Sequence, residues 1–446
     1  MPTGSFAADL RGAVEFQYNN DIAHWAASSS QNAVCSVEPG TAEDVGIILQ
    51  ILGETQTPFA VKGGGHASNP GFSSTTGIQI SMTRFSGVTY DNTTQTVEFG
   101  SGLIWDDVYA ALEPFGVNVV GGRVTGVGVA GFTLGGGYSW KSNQYGLTID
   151  TVEAFELVLP NGTITTVTSS SNPDLFFALK GIVTKFTVKA FPQTQVWGGL
   201  ITFTEDNLEA VGNATLKFAT EVTDPKASII TTYNFLLGEP GVSQILFYDG
   251  PTPPDGIFDD FMSIPSFTSD ISTRSFLSLV QTSPSNVTAG TRGIFHTVSL
   301  TEYSASMLDA VLNETKFWGE QLALDSATFI SYDVEPFLPS IFSHGSESAY
   351  PPDRSRGLLP LNIYYAWLLP SSDDTLQDAA RQSASFLTQT AISDGQDIGD
   401  AALYGNYAIF STNISQIYGG NLERVQAIKA KYDPQNVMGL AGGWKL

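Results

Sequence analysis

Residues 121–137 read GGRVTGVGVAGFTLGGG, eight glycines in seventeen positions. Glycine loses more conformational freedom on folding than any other residue, so such a run makes a poor regular helix or strand. The fold must carry irregular backbone through this stretch, either as glycine-rich bulges or pressed against a flat ligand that tolerates no side chains. A literal GxGxxG lies inside it at Gly126, Gly128 and Gly131, with Asp150 at the distance of a ribose-binding acid. A dinucleotide fingerprint should open a helix, however, and Gly135-Gly136-Gly137 would break that helix, so the Rossmann reading is set aside.

A second cluster, Val61-Lys62-Gly63-Gly64-Gly65-His66, follows a short strand-like run. Three bare peptides in a row bring N–H groups together into a nest suited to an anion such as a pyrophosphate, with a histidine beside it. A plain glycine turn with a surface histidine would look the same.

Composition removes other classes. Twenty Lys and Arg against 44 Asp and Glu leave a formal charge of −24, which repels nucleic acid phosphates. The single cysteine, Cys35, allows neither an intrachain disulfide nor a CxxC metal site. No GxSxG elbow or HExxH motif accompanies the four histidines, so a serine hydrolase and a zinc site are not expected. No apolar run reaches the length of a membrane span. The first residues lack a basic and then apolar leader pattern, while six Asn-x-Ser/Thr sequons (Asn92, Asn161, Asn213, Asn286, Asn313 and Asn413) tilt the expectation toward a secreted glycoprotein.

Along the chain, helices are expected at 42–52, capped by Thr41, and at 104–112 and 173–180. Strands are expected at 57–62, 77–81, 95–99, 117–120 and 182–190, and a hairpin at 151–168 turning on Asn161-Gly162. Beyond about residue 202, long amphipathic helices (205–222, 300–322, 372–391) alternate with strands at 228–235, 241–248 and 361–369. A last helix from Leu422 stops at Pro434. Near the end, Tyr404-Gly405-Asn406-Tyr407 places two phenols around an amide that could orient a substrate or take its proton.

The motifs CSVEPGTAEDV (35–45), VKGGGHASNPGFSS (61–74), the glycine-rich 121–152 stretch, NPDLFFALKG (172–181), YGNY (404–407) and the YDPQNVM end occur in an order that resembles the berberine-bridge-enzyme-like branch of FAD-linked oxidases, the vanillyl-alcohol-oxidase type. The resemblance covers nearly the whole chain and is nearest to the microbial and fungal members. It implies an α+β, two-domain fold. A PCMH-type FAD-binding domain would span 1–192, completed by 411–446, and an α/β substrate domain on an antiparallel sheet would span 193–410. It implies FAD attached covalently through His66. Lys62, Gly63, Gly64, Gly65, Gly122, Val127, Gly128, Gly131, Gly135, Gly136, Tyr138, Gly146, Ile182 and Asn406 would be cofactor-binding.

Val124 stands where many members carry a second, cysteinyl attachment, so one covalent link is expected. Val127 matches the position whose small side chain leaves the flavin open to O2. Tyr404 and Asn406 are implied as catalytic, with Tyr404 the base, assisted by a cation such as Arg123 or Lys141, and with Tyr364, Tyr365 or Trp367 of the substrate domain as further candidates. The expected chemistry is oxidation of an alcohol or amine carbon of a small organic or secondary-metabolite substrate, with O2 reduced to H2O2, in a monomer or weak homodimer with no nucleic acid, membrane or metal partner. A carbohydrate oxidase, a flavin-dependent isomerase or cyclase, and a flavin-free binding protein are the alternatives. The last is raised by a departure: the glycine- and asparagine-rich turn that family members carry between LKG and IVTKF is missing at Lys180-Gly181-Ile182, leaving about one residue to join helix and strand.

Overall fold

The computed structural model describes residues 9–11, 16–236, 238–283 and 285–446. Residues up to 192 build two small sheets and a two-stranded pair, Val117–Asn118 with Phe191–Pro192. The first has four strands in the order 9–11, Cys35–Glu38, Ile78–Ser81, Phe59–Lys62, and its last two pairings are parallel. The helix Ala42–Thr55 packs on it through Val45, Leu49 and Leu52. It starts as the sequence predicts: Thr41 accepts the Asp44 N–H while the Asp44 carboxylate accepts that of Thr41, a capping box that satisfies two orphan donors.

The second sheet is antiparallel, in the order Val88–Asp91, Thr96–Gly100, Ile182–Lys189, Val152–Val158, Ile164–Val167. Its hairpin turns on Asn161-Gly162 as predicted, with Gly162 at φ 83°. Phe186 stacks on Phe99 and meets Phe155 edge-on, and the helix Trp105–Leu112 covers them.

Residues 196–367 form one seven-stranded antiparallel sheet, in the order Thr268–Arg274, Val196–Thr204, Glu239–Tyr248, Ala227–Leu236, Ala327–Val334, Leu359–Trp367, Arg292–Leu300. Side chains alternate across it. Ile229, Tyr233, Ile330, Tyr332, Ile363, Tyr365 and Trp367 pack under the helices Leu208–Glu221, Ala305–Leu322 and Asp373–Ser393. Ile230, Ile245 and Phe247 face the other way and join the core of the five-stranded sheet. The end of the chain returns to the first part: Val425 and Ile428 pack on Phe177 and Ala178, and Ala441 bridges Phe59.

Several local expectations are corrected. Residues 300–304 are not helical: Leu300 ends a strand and the helix begins at Ala305, with Ser304 capping Met307. The glycine-rich stretch does contain a helix, Val129–Leu134, short enough to end before Gly135. The helix expected over 173–180 ends at Phe177, so residues 178–181 make the connection to the next strand. Four residues lie within the usual span of about 2–6 for such a loop. Gly181 takes φ 148°, and a Cβ there would sit 2.2 Å from the Val158 carbonyl oxygen, so only glycine admits so tight an entry.

Three ion pairs with buried members stitch the glycine-rich segment to the second half of the chain. Arg123 meets Glu335 at 2.6 Å, Lys141 meets Asp249 at 2.8 Å, and Asp150 meets Arg354 at 2.6 Å. Among the described residues no helix is long and apolar enough to cross a membrane, and no group of three metal-binding side chains converges.

Candidate active site

The two glycine motifs, distant in sequence, touch. A Cβ on Gly64 would lie 2.5 Å from the Gly128 Cα, and one on Gly128 would lie 2.6 Å from the Gly64 nitrogen. Each glycine exists to let the other's backbone approach, a requirement that local sequence alone cannot show. Beside this contact, the N–H groups of Gly63, Gly64, Gly65 and His66 donate no hydrogen bond among the described residues. Four free amides in succession are available to an anion such as a diphosphate. Lys62 turns aside, its ammonium held 2.6 Å from the Asn20 carbonyl, and burial lowers it to about 8.

His66 stacks on Trp25 with ring centroids 4.6 Å apart. Burial lowers its imidazole to about 4, so the ring is neutral. Its Nδ1 is shielded from solvent and has no hydrogen-bond partner. A neutral imidazole carries one N–H and one lone pair, and the lone pair is where it bonds to carbon; the Gly126 backbone is the hydrogen-bonding group beside the ring. The donor set and the orphaned atom together fit FAD.

From His66 a continuous series of ring contacts runs through Trp25, Phe295, Tyr407, Tyr404 and Tyr138. It links the GGGH segment to YGNY across the inner face of the seven-stranded sheet. Tyr404 is buried, and its hydroxyl accepts from Asn406 Nδ2 at 2.8 Å, while the same amide also donates to the Phe132 carbonyl at 3.1 Å. Gly135 leaves room for that amide, since a Cβ there would fall 2.0 Å from Asn406 Oδ1. Burial pushes the Tyr404 phenol up to about 12. Tyr138 lies edge-on to Tyr404, its hydroxyl donating to the Leu358 carbonyl.

The residue that sequence reasoning missed is Glu335. It follows the strand Ala327–Val334 and is 2% exposed. Tyr407 donates to its Oε1 at 3.1 Å, and Arg123 holds Oε2. Burial pushes the Glu335 carboxyl up, and Arg123 pulls it back. Asp333, two residues earlier on the same face, is also raised by burial and accepts from Asn362 Nδ2 at 2.9 Å. A signal was present: Asp333 and Glu335 alternate with buried Tyr332 and Val334, the period of a strand carrying two carboxylates on one face.

The remaining expected residues divide. Tyr364 lies on the inner face, its buried hydroxyl without a hydrogen-bond partner. Tyr365 and Trp367 are packed under the helices on the opposite face, away from the site. Lys141 is fully buried and occupied by Asp249. Gly122 packs on Trp105, and Gly146 on Asp150 and His344. Val127 lends its carbonyl to the Trp105 N–H. Gly136 lies against Tyr350, and Gly131 is exposed, with nothing within 4 Å of where a Cβ would be. Ile182 is core, packed with Val158. Cys35 opens a strand of the four-stranded sheet, paired with Ile78.

This fold and site define an FAD-dependent oxidoreductase of the vanillyl-alcohol-oxidase/PCMH type. Residues 33–168 match the FAD binding domain and residues 404–441 the berberine and berberine-like family. An FAD-dependent monooxygenase of Aspergillus calidoustus, drtC, is 32% identical over 465 residues, 98% of this chain and 87% of that protein. The 6-hydroxy-D-nicotine oxidase of Arthrobacter nicotinovorans superposes with a TM-score of 0.79 at 18% identity, covering 98% of each chain. A glucooligosaccharide oxidase of Acremonium strictum, described as revealing a novel flavinylation, superposes at 0.75 and 19%, covering 94% and 92%. The chain belongs to the berberine-bridge-enzyme-like family of FAD-linked oxidoreductases.

Proposed function

We propose that this protein is an FAD-linked oxidase whose cofactor is attached through His66 alone and whose substrate is a small organic alcohol or amine. The observation that carries the attachment is the unpartnered, neutral Nδ1 of His66 at the end of four free backbone amides. Val124 offers no sulfur in the flavin loop, and Cys35 opens a strand of the four-stranded sheet, outside that loop. FAD supplies the hydride acceptor and, through its reoxidation, the reduction of O2 to H2O2.

The chain's own residues manage the proton. Tyr407 donates to Glu335, so its oxygen can take the substrate O–H or N–H proton as its own proton passes to the carboxylate. Tyr404, raised by burial and fixed by Asn406, orients the substrate beside it. The aromatic wall of Trp25, Phe295 and Tyr364 excludes water from the reacting carbon.

Acid precipitation tests the attachment. The wild-type pellet is expected to keep its yellow flavin and His66→Ala to release it. A colourless wild-type protein, or acid-stable flavin in the variant, overturns the reading. A hydrogen peroxide screen over alcohols, amines and oligosaccharides then finds the substrate. Monooxygenation is the second reading, favoured by the name of the 32% identical relative. It requires incorporation of labelled oxygen from O2 into the product, whereas the oxidase reading expects none and one H2O2 per substrate oxidised.

A further inference from the structure

We propose that Arg123 is the positioning residue of the proton-accepting pair, fixing both the charge of Glu335 and the direction of the Tyr407 hydroxyl. The inference rests on the reading that Tyr407 and Glu335 receive the substrate proton.

The argument is one of donors and acceptors. A guanidinium only donates. Arg123 Nη2 lies 2.9 Å from the Tyr407 oxygen, so that oxygen must accept there. Its single proton then points elsewhere, and Glu335 Oε1 at 3.1 Å is the acceptor in place. Arg123 Nη1 simultaneously lies 2.6 Å from Glu335 Oε2. The three groups therefore have one arrangement, with the phenol aimed at the carboxylate and one lone pair of its oxygen left without a donor.

Everything packed on Glu335 bears on its charge. Asp333 on the same strand repels it. Tyr407 from the YGNY segment donates to it. Tyr303 accepts from its backbone N–H at 3.1 Å. Arg123 is the one cation with an ion pair to it among the described residues. Arg123 is itself 6% exposed, lies over the Phe337 ring at 5.4 Å, and its carbonyl accepts from the Trp140 indole, so it cannot swing away. It also immediately precedes Val124 in the glycine-rich loop, so the element that approaches the cofactor carries the group that sets the acid–base pair.

Proton transfer through this unit balances. The substrate loses a hydride to FAD and a proton to Tyr407, a C=O or C=N bond forms, and the Tyr407 proton neutralises Glu335. The proton leaves when the reduced cofactor is reoxidised by O2.

The titration needs no substrate. Infrared pH titration of the holoenzyme, with Glu335→Gln subtracted, isolates the carboxylic acid band of Glu335. In Arg123→Met that band is expected to appear at least about one pH unit higher than in wild type, a tenfold rise in proton affinity. An unchanged titration overturns the proposal. If Arg123→Met does not fold, Arg123→Gln is read instead, because its amide keeps polar donors of similar reach while removing the charge. An upward change of about threefold or more supports the role and no change refutes it. Tyr407→Phe separates the two readings: full turnover in that variant removes the proton-accepting role, whatever the Glu335 titration shows.

Discussion

Gly64→Ala tests the central architectural claim, that the two glycine motifs are complementary surfaces. The new Cβ would stand 2.5 Å from the Gly128 Cα and 2.8 Å from its nitrogen. Both are backbone atoms, so no side chain can rotate to relieve the contact. The backbones must part by roughly 1 Å, at a cost on the order of 1–3 kcal/mol for overpacking a tight interior. At about 2–4 °C per kcal/mol for a domain of this size, the unfolding midpoint should fall by several degrees. The displacement also spreads the amides of residues 63–66, so flavin content after purification should drop with the midpoint. Gly131→Ala is the internal control. It lies in the same glycine-rich stretch, inside the helix Val129–Leu134, with no atom within 4 Å of its Cβ position. Alanine there favours the helix by about 0.5–1 kcal/mol, so the midpoint should hold or rise. Scanning fluorimetry with flavin absorbance reads both. A Gly64→Ala protein with wild-type midpoint and wild-type flavin content would refute the reasoning.

Other outcomes follow from the same structure. Asp249→Ala strands the fully buried Lys141 ammonium and should cost about 3–5 kcal/mol in urea unfolding, while a Lys141→Met, Asp249→Leu pair recovers most of it. His296 is lowered by burial to about 4 from 6.5. The unfolded chain therefore binds its proton more readily, which leaves stability untouched above about pH 6.5 and removes up to roughly 3 kcal/mol as pH falls toward 4. His296→Leu should flatten that part of the stability–pH curve, and an unchanged slope would count against it. The side chains of Asn92, Asn161, Asn213, Asn313 and Asn413 are all exposed. Secreted from a fungal host, the protein should shift to lower mass on glycosidase treatment, and no shift would remove the glycoprotein expectation.

The glycine motifs, the Thr41-capped helix, the Asn-Gly hairpin and the YGNY segment were readable because each rests on local chemistry. What stayed hidden depended on partners far away. Arg123 and Glu335 lie 212 residues apart, and nothing near either one announces the other. The edge strand Thr268–Arg274 is polar on both faces and largely exposed, so no alternation marks it. The strand Arg292–Leu300 is covered on both faces and lacks alternation for the opposite reason. Tyr365 and Trp367 were drawn toward the site by their chemistry. The register that pairs Ile330 with Tyr365 puts these side chains under the helices instead. The connection at 178–181 looked too short because the preceding helix was read three residues too long.

The three ion pairs between the glycine-rich segment and the second half carry a consequence for recombining such enzymes. Each pair joins a particular acid to a particular base in a setting that excludes water, and one of them runs acid to base in the opposite sense to the other two. A substrate sheet borrowed from a cousin would bring hydrophobic surface that fits almost anywhere. Without matching charges at 249, 335 and 354, however, it would leave three ionised groups stranded at the junction. The seam behaves as a key with three teeth: chimeras should assemble only when all three counter-charges travel with the transplanted half, and specificity can be exchanged freely everywhere else on the sheet.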